Sequence, residues 1–260
     1  MEKFKEEFFK ALNPETSKIL DKVLDGKEIF PEEALKLFKV TNLDFQALIL
    51  VADWVRRKRV GDLVTYVVNR NINFTNVCIN NCEFCAFNKK IDDLEAYLMT
   101  PEMVGLKAKE AQSMGATEVC IQGGLHPQID AYYYLEIIKK VKAYAPTIHI
   151  HAFSPMEIVY GSKKSELPVK ETLKMLKEAG LGSLPGTSAE ILVDEVREKI
   201  CPRKITTYEW IETIKTAHKL GIPTTSTIMY GHVEKPEHWI IPVSYTHLRA
   251  HETSLHLVCR

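Results

Sequence analysis

The chain has 260 residues, 45% of them apolar, with 34 Lys+Arg balancing 34 Asp+Glu. That is enough apolar material for one large α/β domain or two small ones, and the zero formal charge leaves no global basic field to attract nucleic acid or anionic lipid. The charged start, Met1 to Glu7, has no apolar leader segment, and no stretch approaches the ~20 apolar residues of a membrane span. A cytoplasmic protein acting on small molecules is expected, with no nucleic acid or membrane partner. Six cysteines, three of them in one loop, suit free thiolates in a reducing compartment better than a disulfide framework.

Residues 1–61 read as an N-terminal helical cap. Pro31 opens one helix, and Thr41-x-x-Asp44 is a capping-box-like start for another whose apolar face would be Phe45, Leu48, Val51, Ala52 and Val55. Arg56, Arg57, Lys58 and Arg59 close that helix before Gly61, where cations offset the negative end of the macrodipole.

From residue 62 short β-rich runs alternate with helical ones, the pattern of parallel βα units. Five strands are expected, over 71–77, 118–122, 148–153, 181–185 and 224–229, with helices starting at Thr100-Pro101 and Thr206-x-x-Glu209. Such repeats close into a (β/α) barrel or wind into an open sheet, and side-chain alternation favours the barrel. Ile72 and Phe74 oppose Asn71, Asn73 and Thr75, while Ile148 and Ile150 oppose His149 and His151. One polar face per strand predicts a lumen that holds a polar ligand. The region 62–241 is therefore read as a TIM-type (β/α) barrel that is incomplete, about five of eight units.

Cys78, Cys82 and Cys85 supply three thiolates directly after the first strand, at its carboxyl end, where barrel active sites lie. A 4Fe-4S cluster normally takes four cysteines, so three leave one iron open to a small molecule. A zinc knuckle is the competing reading, but it needs a fourth Cys or His nearby, and the next candidates, Cys120 and His126, belong to another strand and its loop. Cys120 and Cys201 read as ordinary thiols. Gln122-Gly123-Gly124-Leu125-His126-Pro127 follows the second strand; two glycines there make either a plain turn or a backbone rim that approaches a ligand and offers it amides. His149 and His151 share a strand face, as substrate contacts or as satisfied core histidines. Glu190 either caps the following helix or binds a ligand.

With Phe84 before its last cysteine, the loop resembles the radical S-adenosylmethionine (SAM) signature. Five longer segments, residues 65–78, 115–127, 149–158, 182–187 and 200–205, resemble the tyrosine-using 4-hydroxyphenyl transferases of FO synthase, in deazaflavin (coenzyme F-420) biosynthesis. Menaquinone-pathway radical SAM enzymes share much of the His149-x-His151 text, but Cys201-Pro202-Arg203-Lys204 and Gly123-Gly124-Leu125-His126-Pro127 favour the tyrosine family. The resemblance implies a 4Fe-4S cluster on Cys78, Cys82 and Cys85, with SAM held by Phe84, Gln122, Gly123, Gly124 and Glu190. It also implies a transferase that uses L-tyrosine and 5-amino-6-(D-ribitylamino)uracil, a one-electron reductant and a companion FO synthase subunit. Asn73, His149, His151, Thr227, Tyr230 and His232 are the substrate contacts expected from their lumen or rim positions. A non-enzymatic metal module, zinc-bound or electron-carrying, is the alternative outside this family.

From about residue 242 the text departs from the family and is read as an adapter-derived, non-native tail, 242–260. Its His247-x-x-x-His251, His256 and Cys259 imitate a metal site without a context for one. An arc of five strands exposes two edges and opens the lumen, so low solubility is expected.

Overall fold

A computed structural model describes residues 7–80 and 82–250, and these form two compact units. The first comprises residues 7–65 and 234–247. It contains α1 (Pro14–Leu24), α2 (Pro31–Leu37), α3 (Asn42–Val60) and most of α10 (Pro236–Ala250). Each start has a local cause: the Asn13 side chain accepts the Glu15 N–H at 2.9 Å before Pro14, and Pro31 supplies a fixed φ at the first turn of α2. Leu12, Ile19, Leu20, Leu37, Ala47 and Val51 form its core.

The sequence reading of α3 needs correction. The buried stripe is Ala47 and Val51, flanked by the partly buried Leu48 and Val55, whereas Phe45 and Ala52 are exposed. Asp44 does not complete a capping box, because its carboxylate accepts the Asn13 N–H at 3.0 Å instead, and Thr41 caps without a side-chain bond. The basic closing turn does form as expected: Arg56 donates to the Gly61 carbonyl at 2.6 Å and pairs with Asp53 and Asp62. Helix α10 runs across residue 242 with Pro242 in its interior. Residues 251–260, including His251, His256 and Cys259, lie outside the described residues.

The second unit, built on residues 66–233, is a run of parallel βα units. Strands β1 (Asn69–Asn73), β2 (Glu118–Gln122) and β3 (His149–Ala152) pair in the order β1-β2-β3, all parallel. Helix α4 (Pro101–Ser113) connects the first pair and α5 (Ala131–Tyr144) the second, followed by α6 (Pro155–Lys164), α7 (Val169–Ala179), α8 (Asp194–Ile200) and α9 (Thr207–Lys219). The Thr100 and Thr206 caps form as read: each hydroxyl accepts an N–H three residues on, and the Glu209 carboxylate returns to the Thr206 N–H at 3.0 Å. Core residues come from one face of each strand, Ile72, Val119, Ile121, Ile148, Ile150 and Ala152 among them, packed against Val104, Ile137, Ile138 and Leu173 of the helices.

Strands one, four and five are shorter than expected. The first ends at Asn73, and Thr75 and Val77 make only isolated bridges, to Leu98 and Lys89. The expected fourth and fifth strands are single parallel bridges, His151 to Ser183 and Leu184 to Thr224. They continue the parallel order, but Pro185 and Pro223 have no N–H and so cannot extend a ladder. Among the described residues no helix is long and apolar enough to cross a membrane.

Candidate functional site

The carboxyl ends of β1, β2 and β3 all lead into the segments that carry chemistry. After β1, Phe74 and Thr75 are fully buried, and the Thr75 hydroxyl donates to the Tyr97 carbonyl at 2.6 Å. The cysteine loop is then pinned by its own backbone. Cys78 N–H donates to the Lys89 carbonyl at 3.2 Å, Ile79 N–H to the Leu125 carbonyl at 3.2 Å, and Cys85 N–H closes a turn on the Cys82 carbonyl at 3.1 Å. Cys78 and Cys85 are half-buried and Cys82 buried, all as free thiols. Burial pushes the Cys82 thiol up to about 11, aided by the neighbouring Cys201, Cys78 and Cys85 and opposed by Lys204. Cys78 and Cys85 thus lie within electrostatic reach of Cys82.

The two glycines after β2 are fixed by close packing. A Cβ at Gly123 would stand 2.6 Å from the Phe74 ring, and one at Gly124 2.1 Å from the Val77 carbonyl oxygen. Their amides are already committed: Gly123 N–H to Glu157 Oε1 at 3.0 Å and Gly124 N–H to the Thr75 carbonyl at 3.2 Å. The expectation that these N–H groups are offered to a ligand is thereby corrected; close backbone approach is what remains of it. Glu157, which the sequence reading passed over, is buried at the start of α6. It accepts from Gly123 N–H and from Ser154 N–H and Oγ, each of the latter at 2.7 Å. Burial nevertheless raises its carboxyl pKa to about 7, against those hydrogen bonds. The Ser154-x-x-Glu157 capping box was the available signal.

On β3, His149 and His151 alternate with the buried Ile150 as expected. The Ser183 hydroxyl lies 2.8 Å from His149 Nε2 and 2.7 Å from His151 Nδ1. The hydroxyl has one proton to donate and two lone pairs to accept with, so it can bond both rings at once. Burial lowers the His151 pKa, with Glu118 opposing, which favours the neutral ring. Gly182 leaves room for this arrangement, since a Cβ there would lie 2.4 Å from His149 Cε1. Gln122 links the face to the next segment: its amide donates to Cys120 Sγ at 3.5 Å and its oxygen accepts from the Thr187 hydroxyl at 3.3 Å.

Glu190 is not a helix cap. Helix α8 is capped by Val193, while the Glu190 carboxylate pairs with Lys204 and both side chains are 13% exposed. Ser188 and Glu190 have φ of 62° and 47°, left-handed values that a non-glycine residue adopts only under local constraint. Arg197 supplies part of that constraint, donating to the Ser188 carbonyl at 3.1 Å, to the Ala189 carbonyl, and to the Ile205 carbonyl at 2.5 Å. Lys204 also stands 5.3 Å from the centroid of the Phe84 ring, and Arg203 donates to the Ile79 carbonyl at 3.1 Å. Thr227, Tyr230 and His232 were read as strand or rim residues but belong to an irregular segment. Thr227 and Tyr230 are exposed, and His232 Nε2 lies 3.2 Å from the Met229 carbonyl. Asn73 is half-buried at the end of β1, its carbonyl accepting from the Tyr97 hydroxyl at 3.1 Å.

Among the described residues no three His, Cys, Asp or Glu side chains converge on one point as a ready metal site. The donor chemistry nonetheless fits an iron-sulfur cluster: three free thiols in eight residues, on a loop whose backbone is anchored from outside. Zinc fits less well, because His126 Nδ1 accepts the Gln128 N–H at 3.1 Å and Cys120 Sγ accepts from Gln122, and neither gathers with the loop cysteines into a metal-binding group among the described residues.

A profile of the radical SAM superfamily matches residues 72–240. The chain is 56% identical over 218 residues to the 5-amino-6-(D-ribitylamino)uracil--L-tyrosine 4-hydroxyphenyl transferase of Methanocaldococcus jannaschii, covering 82% of this chain and 60% of the relative. The enzyme of the same name from Methanothermobacter thermautotrophicus is 53% identical over 223 residues, 86% of this chain and 60% of the relative. The chain thus spans about 60% of the length of these curated relatives. Among solved structures it resembles HydG, a maturase of the [FeFe]-hydrogenase, with TM-score 0.71 at 20% identity over 95% of this chain and 53% of that one. It also resembles methylornithine synthase (PylB), with TM-score 0.65 at 20% identity over 88% and 64%.

Proposed function

Because this chain belongs to the radical SAM superfamily, which is built on a 4Fe-4S cluster and S-adenosylmethionine, we propose that it carries the barrel arc of a transferase. That enzyme would join the 4-hydroxybenzyl group of L-tyrosine to 5-amino-6-(D-ribitylamino)uracil in deazaflavin synthesis. The observation that carries this reading is identity of 53–56% to relatives that bear that activity in their name.

The roles follow from the chemistry of the side chains. Cys78, Cys82 and Cys85 would hold the cluster, which when bound supplies the electron that cleaves SAM to methionine and a 5'-deoxyadenosyl radical. Phe84, Gln122, Gly123, Gly124 and Glu190 would line the SAM site. Of the substrate set, His149 and His151 are the best supported, because the Ser183 hydroxyl between them holds their rings in place. Rings held this way present fixed donors or acceptors to a polar substrate and need no reorganisation on binding. Asn73, Thr227, Tyr230 and His232 complete the proposed set. The buried faces of Phe74, Phe153 and Tyr134 behind the strands keep water from the back of the site. A one-electron reductant, a companion FO synthase subunit and a cytoplasmic setting complete the proposal.

The test is anaerobic reconstitution with iron and sulfide, reduction with dithionite, and incubation with SAM, tyrosine and the diaminouracil. Methionine, 5'-deoxyadenosine and a tyrosine-derived adduct that all depend on both substrates are the expected products. SAM cleavage driven by a futalosine derivative and not by tyrosine would overturn the reading.

A further inference from the structure

The segment Cys201–Lys204 touches the cysteine loop at two places. Arg203 reaches the Ile79 carbonyl, between the first and second cysteines, and Lys204 lies over the ring of Phe84, between the second and third. Lys204 is nearly buried, and an ammonium in such surroundings persists only with a counter-charge. Glu190 provides it, from a left-handed backbone position that Arg197 helps to hold through the neighbouring carbonyls of Ser188 and Ala189. Burial alone would lower the Lys204 pKa, but the Glu190 carboxylate against it outweighs this. A largely buried Lys204–Glu190 pair therefore stands beside the loop, its cation on the side of Phe84.

We propose that Lys204 and Glu190 tune the reduction potential of the cluster on Cys78, Cys82 and Cys85, Lys204 raising it and Glu190 lowering it. One-electron reduction adds a unit of negative charge to the cluster. A fixed cation nearby stabilises the reduced form, and a fixed anion disfavours it. The pair is thereby a positioning device for the reducing electron. The inference rests on the cluster that family membership brings and does not depend on tyrosine being the substrate.

The test is a redox titration of the reconstituted chain without SAM, followed by electron paramagnetic resonance of the reduced cluster, with iron content measured separately for each variant. Lys204→Met is expected to make reduction about tenfold less favourable, a 59 mV shift for one electron. Glu190→Gln should shift it in the opposite direction by less, since the carboxylate lies behind the cation, the double variant should fall between the parent and Lys204→Met, and Lys204→Arg should stay near the parent. A purely structural role would move both single variants the same way or not at all at full iron loading, and either result overturns the proposal. If Lys204→Met binds no cluster, the near-isosteric Glu190→Gln decides alone: an upward shift supports the proposal and no shift refutes it. A parent chain that takes up no iron removes the premise and the proposal with it.

Discussion

Gly124 and Val77 approach so closely that a Cβ on the glycine would lie 2.1 Å from the valine carbonyl oxygen, and 2.9 Å from Cys78 Cβ. The turn after β2 is thus pressed onto the backbone that leads into the cysteine loop. Backbone cannot yield as a flexible side chain does, so Gly124→Ala should destabilise the fold by roughly 1–3 kcal/mol, the usual cost of overpacking. It should also lower the iron bound after reconstitution. Urea unfolding and iron-to-protein ratio measure the two effects; an alanine variant with parental values of both would refute this coupling.

Glu157 makes stability depend on pH. Its folded-state pKa is raised from 4.5 to about 7, so between these values the folded chain holds a proton that the unfolded chain has released. The stabilisation is complete below the unfolded pKa and is lost as pH rises through about 7. A shift of this size corresponds to about 3 kcal/mol in all. Urea midpoints should fall between pH 5 and pH 8, and Glu157→Gln, which stays neutral, should flatten that slope. Because the lowered pKa values of His126 and His151 act in the opposite sense, the decisive quantity is the difference between the two chains: an equal pH slope in parent and Glu157→Gln would contradict the assignment.

Replacing Ser183 with alanine removes the hydroxyl shared by two imidazoles. His151 is the more affected ring, because it is the one whose burial lowers its pKa, and a buried nitrogen left without a partner costs about 1–3 kcal/mol. Nitrogen NMR of the histidine side chains should show the tautomer populations of His149 and His151 changing together. A change in one ring alone would mean that the hydroxyl does not couple them.

Arg197 organises three carbonyls at once, those of Ser188, Ala189 and Ile205. Arg197→Lys keeps the charge but cannot reproduce the planar fork, and Arg197→Met leaves all three acceptors unpaired. Losses of about 1–3 kcal/mol are expected for each orphaned group, so the methionine variant should be the less stable of the two by thermal or urea unfolding. Equal stability of the two variants would show that the fork geometry is dispensable.

What could be read from the text alone was whatever depends on neighbours in sequence. The alternation of Ile148, His149, Ile150 and His151 gave the two faces of β3. Thr100 and Thr206 marked helix starts, and the position of Cys78 just past a strand gave the end of the barrel that carries chemistry. What stayed hidden depends on segments meeting across the fold. Ser183 is an unremarkable serine until the chain brings it between two histidines 34 and 32 residues away. Glu157 carries no signal beyond its spacing from Ser154, and nothing local reveals that Gly123 donates to it. Glu190 reads equally as a helix cap or a ligand contact because its partner, Lys204, lies 14 residues on. The fourth and fifth strands were overextended because periodicity registers apolar alternation but not the missing N–H groups of Pro185 and Pro223.

The bond from Arg203 to the Ile79 carbonyl joins residues 124 positions apart. On a ribosome adding roughly 5–20 residues per second, the cysteine loop emerges on the order of ten seconds before the segment that braces it. During that interval the three thiols have no Lys204 beside them and no Arg203 holding their loop. Oxidant that reaches the nascent chain then meets its most vulnerable form, so the yield of intact cluster sites should depend on how well oxygen is excluded during synthesis as well as afterwards.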